Sequence, residues 1–199
     1  MTSIPAQKRP VALALVLIVT GVVGWYAAFE LTVTKFNALI NPTQGISCDF
    51  SIVVQCGKNL DSWQGSLFGF PNPLIGLGAF VAPIVVGVAL LAGARFSRWF
   101  WMLFNLGVLA AMVFVIWLIS QSIFELNTLC VWCMAVWSIT IPMFWAVTFY
   151  TLGSGQIPTT RSARTFFSRA YGWVPLITLA SYLVIAVIAQ LKLDVIAYL

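Results

Sequence analysis

The residues of this sequence best equipped for chemistry are its four cysteines. They fall into two close pairs, Cys48 with Cys56 and Cys130 with Cys133, an even, paired count that points to redox work. Cys130-Val131-Trp132-Cys133 is a C-x-x-C motif at the start of an apolar stretch. At the N-terminal end of a helix, unpaired backbone N–H groups and the helix dipole lower a thiol pKa and favour the reactive thiolate. The spacing puts both sulfurs near one helix face, within disulfide reach, with Cys133 a turn deeper than Cys130. Depth then suggests roles: Cys133 meets a lipid-soluble oxidant and Cys130 faces the neighbouring loop. Cys48 and Cys56 enclose seven residues, a loop able to close a disulfide and to swing toward Cys130, and so read as a shuttle. Two other readings stay open. The pairs can be structural disulfides pinning a loop, or a four-cysteine zinc site, against which stand the depth of the C-x-x-C and the loose spacing of the other pair.

The elements that position these thiols are membrane spans. Of the 199 residues 61% are hydrophobic and 8% charged, whereas soluble domains carry roughly a quarter charged residues. Histidine is absent, which removes the usual neutral-pH base and the usual axial ligand of membrane haem, and disfavours cytochrome b-type carriers. The net charge of +5 comes from Lys and Arg dispersed among short loops, so nucleic acid is not an expected partner and a topology signal is the simpler reading.

Five stretches, about 11–33, 73–92, 99–121, 128–151 and 172–191, are long enough for a hydrocarbon core of roughly 30 Å at about 20 residues each. The first is expected to stay as an anchor, its apolar run being too long for a signal peptide. Lys8, Arg9, Arg95, Arg98, Arg161, Arg164 and Arg169 fall on one side, the cytoplasmic one by the positive-inside rule. The N-terminus is then cytoplasmic and the C-terminus external, in a single membrane domain over residues 1–199. The long connection, about 34–72, holds Cys48 and Cys56 on the external side. The C-x-x-C opens the fourth helix just after an external turn at Asn127 and Thr128. All four thiols are thereby expected on the oxidising face, where disulfides persist. Trp25, Trp99, Trp101 and Trp173 lie near predicted helix ends and suit an interfacial belt. Glu30 and Glu125 read as solvated helix ends, with proton donation as the alternative.

Cys48-Asp49, then Cys56, then Ser62, then Gly69-Phe70-Pro71-Asn72 entering a helix, and finally Cys130-Val131-Trp132-Cys133 together resemble the vitamin K epoxide reductase family, in order, from Cys48 to Cys133. The resemblance implies an all-α membrane protein of five helices. Four of them bundle around a quinone (menaquinone, ubiquinone or phylloquinone), one is peripheral, and a loop caps the pocket. It implies catalytic roles for Cys48, Cys56, Cys130 and Cys133, with Cys133 nearest the quinone and the loop pair relaying electrons. It also implies a membrane enzyme of the bacterial cell. Some bacterial members carry a fused thioredoxin-like domain; here the chain ends at Leu199, so the expected partner is a separate DsbA-like or thioredoxin-like exported thiol protein. Asn72 matches an asparagine that hydrogen-bonds the quinone, or else caps the helix that Pro73 begins. Ser62 matches a motif serine.

One position departs from the animal relatives: their head-group tyrosine is here Trp137, whose indole donates a hydrogen bond but cannot release a proton as a phenol does. Quinone reduction is therefore expected rather than the epoxide reduction of the animal enzymes. The DsbB-type quinone-linked oxidases also have two cysteine pairs, but with the C-x-x-C in the first external loop, the reverse of the order here. From a different class stands a non-enzymatic scaffold or small transporter with structural disulfides. The near absence of charge at the predicted helix centres weakens an ion transporter.

Overall fold

The computed structural model of the protein describes residues 10–41, 48–49 and 51–198; Lys8 and Arg9 lie outside them. Among the described residues five helical segments are long and apolar enough to cross a membrane, and the protein is an all-α membrane protein. The first, α1, runs over Val11–Ile40, beyond the expected end near 33. It stops at Asn41 (φ −125°), where the following Pro42 disfavours the helical region. The connection to the second span is correspondingly shorter than 34–72, and Glu30 stands within the helix rather than at its end.

The connection holds a short helix α2, Gly57–Asp61, and a 3-10 turn, Trp63–Ser66. The second span is two helices, α3 (Pro73–Ala79) and α4 (Val81–Leu91), broken at Phe80. Pro83 has no N–H for the carbonyl of Ala79, and its ring crowds that carbonyl. The third span, α5 (Arg98–Ser120), continues in a π turn, Gln121–Leu126, which ends at Asn127 in the left-handed conformation (φ 52°). The fourth is α6, Val131–Gly153. After it come α7 (Arg161–Ala170) and the last span, α8 (Val174–Leu193).

Lipid tails are as apolar as leucine, so these helices associate through close packing and interhelical hydrogen bonds rather than by a hydrophobic drive. At the α1–α4 contact a Cβ on Gly87 would lie 2.7 Å from the carbonyl oxygen of Ala14, and one on Gly24 would lie 2.5 Å from the Phe80 ring. Only glycine permits that approach. Pro142 inside α6 leaves the carbonyl of Ser138 without its helical donor, and the Tyr182 hydroxyl of α8 supplies one. Thr148 of α6 donates to Asn105 of α5 at 3.1 Å. α1, α3–α4, α5 and α6 form the bundle, and α8 packs outside it on α6 and the π turn. Trp101 departs from the expected aromatic belt: it is 2% exposed, in the core with Leu13, Leu17 and Val147, whereas Trp99 and Trp173 are exposed.

Candidate redox site

The C-x-x-C is built by the start of α6. Cys130 is the helix N-cap in extended conformation, and its sulfur accepts the backbone N–H of Cys133 at 3.4 Å. Both are free thiols, Cys130 fully buried and Cys133 half-buried. Cys130, one residue ahead of the span, has a pKa below the ordinary thiol value. The Cys133 thiol is the main cause, and the N–H groups of Cys133 and Trp132 also lower it, while burial and the Asp49 carboxylate oppose them. Thiolate character is thereby directed to the sulfur facing the loop. Trp132 meets Tyr26 of α1 edge-on at 5.6 Å, fixing this end of α6.

Cys48 and Cys56 are joined in a disulfide, as their spacing allowed. The sulfurs and the Asp49 carboxylate lie within 4.8 Å of one another, a proximity that the disulfide explains without a metal, since it consumes both thiolates. Asp49 accepts the N–H groups of Cys56 (2.7 Å) and Gly57 (3.1 Å), satisfying donors at the start of α2.

Backbone pairing brings this disulfide to the C-x-x-C. Gln55 N–H donates to the Leu129 carbonyl at 2.9 Å and Leu129 N–H to the Val53 carbonyl at 2.7 Å, a parallel bridge next to a cysteine on each side. Asn59 reinforces it, donating to the Thr128 hydroxyl (2.9 Å) and the Gln55 carbonyl (3.3 Å) while its own carbonyl accepts from Ser122 (3.2 Å). Lys35, on the extra turns of α1, reaches Asp61 and the Leu60 carbonyl, each at 2.9 Å; with Asp61 exposed, the ion pair adds at most about 1 kcal/mol. The outcome is one buried cluster of Leu31, Cys48, Cys56, Leu60 and Cys130, with Cys133 packed against it.

Beneath it lies a cavity of about 510 Å³ bounded by α1, α3, α4, α5 and α6. Its walls are apolar, with Asn59, Ser62, Gln64, Asn72 and Gln121 at one edge, and Cys133 and Trp137 contributed by α6. Ser62 has a local role as well: its hydroxyl donates to the Asn59 carbonyl (2.7 Å) and accepts the Gly65 N–H (3.2 Å), capping the 3-10 turn. Asn72 takes the N-cap position of α3, with Pro73 opening the helix, but its side chain makes no capping bond. The amide instead accepts from Leu67 N–H at 3.1 Å and donates to the Gln64 carbonyl at 2.6 Å, folding the 64–72 segment over the cavity. Its second amide hydrogen has no acceptor among the described residues. Trp137 is 6% exposed, packed with Val115 and Ile119.

Asn59, Gln64, Gln121, Ser122 and Thr128 were not read from the sequence as site residues. The signal was present, because uncharged hydrogen-bonding side chains in so apolar a chain must find partners when buried. Asn59, Ser122 and Thr128 partner one another, and Gln64 donates to Gln121 at 3.3 Å.

A cavity with apolar walls, a polar edge and a thiol suits a flat ligand with carbonyl acceptors and a hydrocarbon tail, the build of a quinone. The family model of the vitamin K epoxide reductase family matches residues 15–148, which include all four cysteines and the segments lining the cavity. No curated protein matches the chain.

Proposed function

The chain belongs to the vitamin K epoxide reductase family, membrane thiol–disulfide oxidoreductases linked to quinone, and from that premise we propose that it oxidises an exported DsbA-like or thioredoxin-like dithiol protein and so supports disulfide formation outside the cell. The observation that carries this reading is the placement of the Cys48–Cys56 disulfide against Cys130 while Cys133 lines the cavity.

In this reading the partner's thiolate attacks Cys48, the less buried member of the loop pair, and a second attack within the partner releases it oxidised, leaving Cys48 and Cys56 as thiols. With the C-x-x-C oxidised, the Cys56 thiolate attacks the Cys130 sulfur, and Cys133 leaves as a thiolate. Cys48 then attacks Cys56, restoring the loop disulfide and freeing Cys130. The arrangement described above, loop pair oxidised and C-x-x-C reduced, is the product of that exchange. A bound quinone supplies the sink for two electrons and two protons. Re-forming the Cys130–Cys133 bond releases both electrons and both thiol protons. Asn72, through its second amide hydrogen, and Trp137, whose indole N–H has no acceptor among the described residues, would hold the carbonyl oxygens of such a quinone. Ser62 shapes the turn above them. Four thiols on the external face, with Arg95, Arg98, Arg161, Arg164 and Arg169 inside, complete the proposed orientation.

The test is the ultraviolet absorbance of purified protein with a short-chain ubiquinone or menaquinone and a reduced dithiol. Quinone reduction is expected, and Cys133→Ala should abolish it. Undiminished turnover in that variant would remove Cys133 from the reaction.

A further inference from the structure

The end of the bundle where α1 begins, α4 ends and α6 passes into α7 carries Arg95, Arg98, Arg161, Arg164 and Arg169. The chain's five acidic residues are Glu30, Asp49, Asp61, Glu125 and Asp194, and none is at that end. Counter-charge for these arginines must come from outside the chain.

α7 concentrates the excess. The Thr160 side chain caps it by accepting Ala163 N–H at 3.3 Å, and Phe167 anchors it on Phe149 of α6 at 5.5 Å. Arg164 is committed, its Nε donating to the Gly153 carbonyl at the end of α6 at 3.3 Å. Arg161, Thr165 and Arg169 recur every fourth residue on one exposed helix face, and neither guanidinium has a carboxylate partner among the described residues. The Thr165 hydroxyl donates its hydrogen to the Arg161 carbonyl at 3.0 Å, leaving its oxygen as an acceptor. These three side chains form the polar edge of a groove of about 830 Å³ whose other edge is Phe166, Trp173 and Ile177. Phe166 is 64% and Trp173 61% exposed. The apolar edge continues onto α8, along the course of a membrane span. A soluble anion would use the arginines alone, whereas a lipid uses both edges.

We propose that the α7–α8 groove binds an anionic phospholipid with a hydroxylated headgroup, of the phosphatidylglycerol kind. The phosphodiester lies between Arg161 and Arg169, a headgroup hydroxyl donates to Thr165, and an acyl chain runs over Trp173 and Ile177. The groove lies beyond residues 15–148 and is independent of the thiol chemistry.

Native mass spectrometry of the protein released from micelles containing equal phosphatidylglycerol and phosphatidylcholine tests this. Wild type should retain phosphatidylglycerol preferentially, and Arg161→Gln with Arg169→Gln should lower that preference roughly tenfold or more, given the attraction of each cation for an anionic surface. Arg161→Lys with Arg169→Lys, which keeps both charges, should preserve most of it. Millimolar inorganic phosphate should not displace the lipid, because it cannot use the apolar edge. An unchanged preference in the glutamine variant, an equal loss in the lysine variant, or displacement by phosphate would each overturn the proposal.

Discussion

Replacing Asn59 by alanine isolates the contact that holds the loop disulfide against the C-x-x-C. The substitution deletes two donated bonds, to the Thr128 hydroxyl at 2.9 Å and the Gln55 carbonyl at 3.3 Å, and removes the acceptor that the Ser122 hydroxyl shares with the Thr128 carbonyl. Thr128 is 1% exposed, so water cannot replace the lost partner without opening the site. At about 1 kcal/mol net for each bond, two to three bonds cost about 2–3 kcal/mol. That energy separates the docked loop from the opened one, so the opening equilibrium should rise roughly thirtyfold to a hundred-and-fiftyfold. The reporting amides are those of Gln55 and Leu129, whose hydrogen bonds at 2.9 and 2.7 Å form the bridge itself. Their hydrogen-exchange protection should fall by that factor, while amides in the middle of α6 keep theirs. A fall of less than about threefold would show that the backbone bridge holds the loop without Asn59, and the reasoning that gives this network its weight would be wrong.

Under non-reducing conditions Cys133→Ala should accumulate an internal Cys56–Cys130 disulfide, because Cys130 packs beside Cys56 and has lost its own partner; peptide mass spectrometry showing mainly Cys48–Cys130 would reverse the order of exchange. Cys56→Ala should block turnover with a protein dithiol yet leave turnover with a small membrane-permeant dithiol, and equal loss with both would make the loop pair structural. Gly87→Ala should lower thermal stability by about 1–3 kcal/mol, the usual cost of overpacking, since its Cβ would sit 2.7 Å from the Ala14 carbonyl oxygen. An unchanged melting temperature would mean that α1 and α4 separate freely.

How much of this was legible beforehand follows from the range of each interaction. Spans are local: about 20 consecutive apolar residues satisfy the bilayer's demand that backbone groups bond within the segment, and the five appeared close to where composition put them. Both cysteine pairs were legible for the same reason, since a loop of seven residues between Cys48 and Cys56, or a helical turn between Cys130 and Cys133, sets sulfur reach without knowledge of the rest. The extension of α1 to Ile40 and the break at Phe80 depended on Pro42 and Pro83, local signals outweighed by hydropathy in reading the spans.

Long-range placement was not legible. No periodicity says that Val54 pairs with Leu129, that Asn59 bonds Thr128, or that Asn72 turns its amide back toward Gln64 and Leu67 instead of capping α3. Trp101 near a helix end looked like a belt residue, and packing against α1 and α6 put it in the core. Sequence alone determined the membrane class and the two close thiol pairs, because bonding reach and hydropathy are properties of short segments. Only the tertiary structure decided which residues pair the loop with the start of α6 and which polar side chains seal the two together, because a buried donor takes any acceptor the fold brings near and the sequence does not say which one arrives.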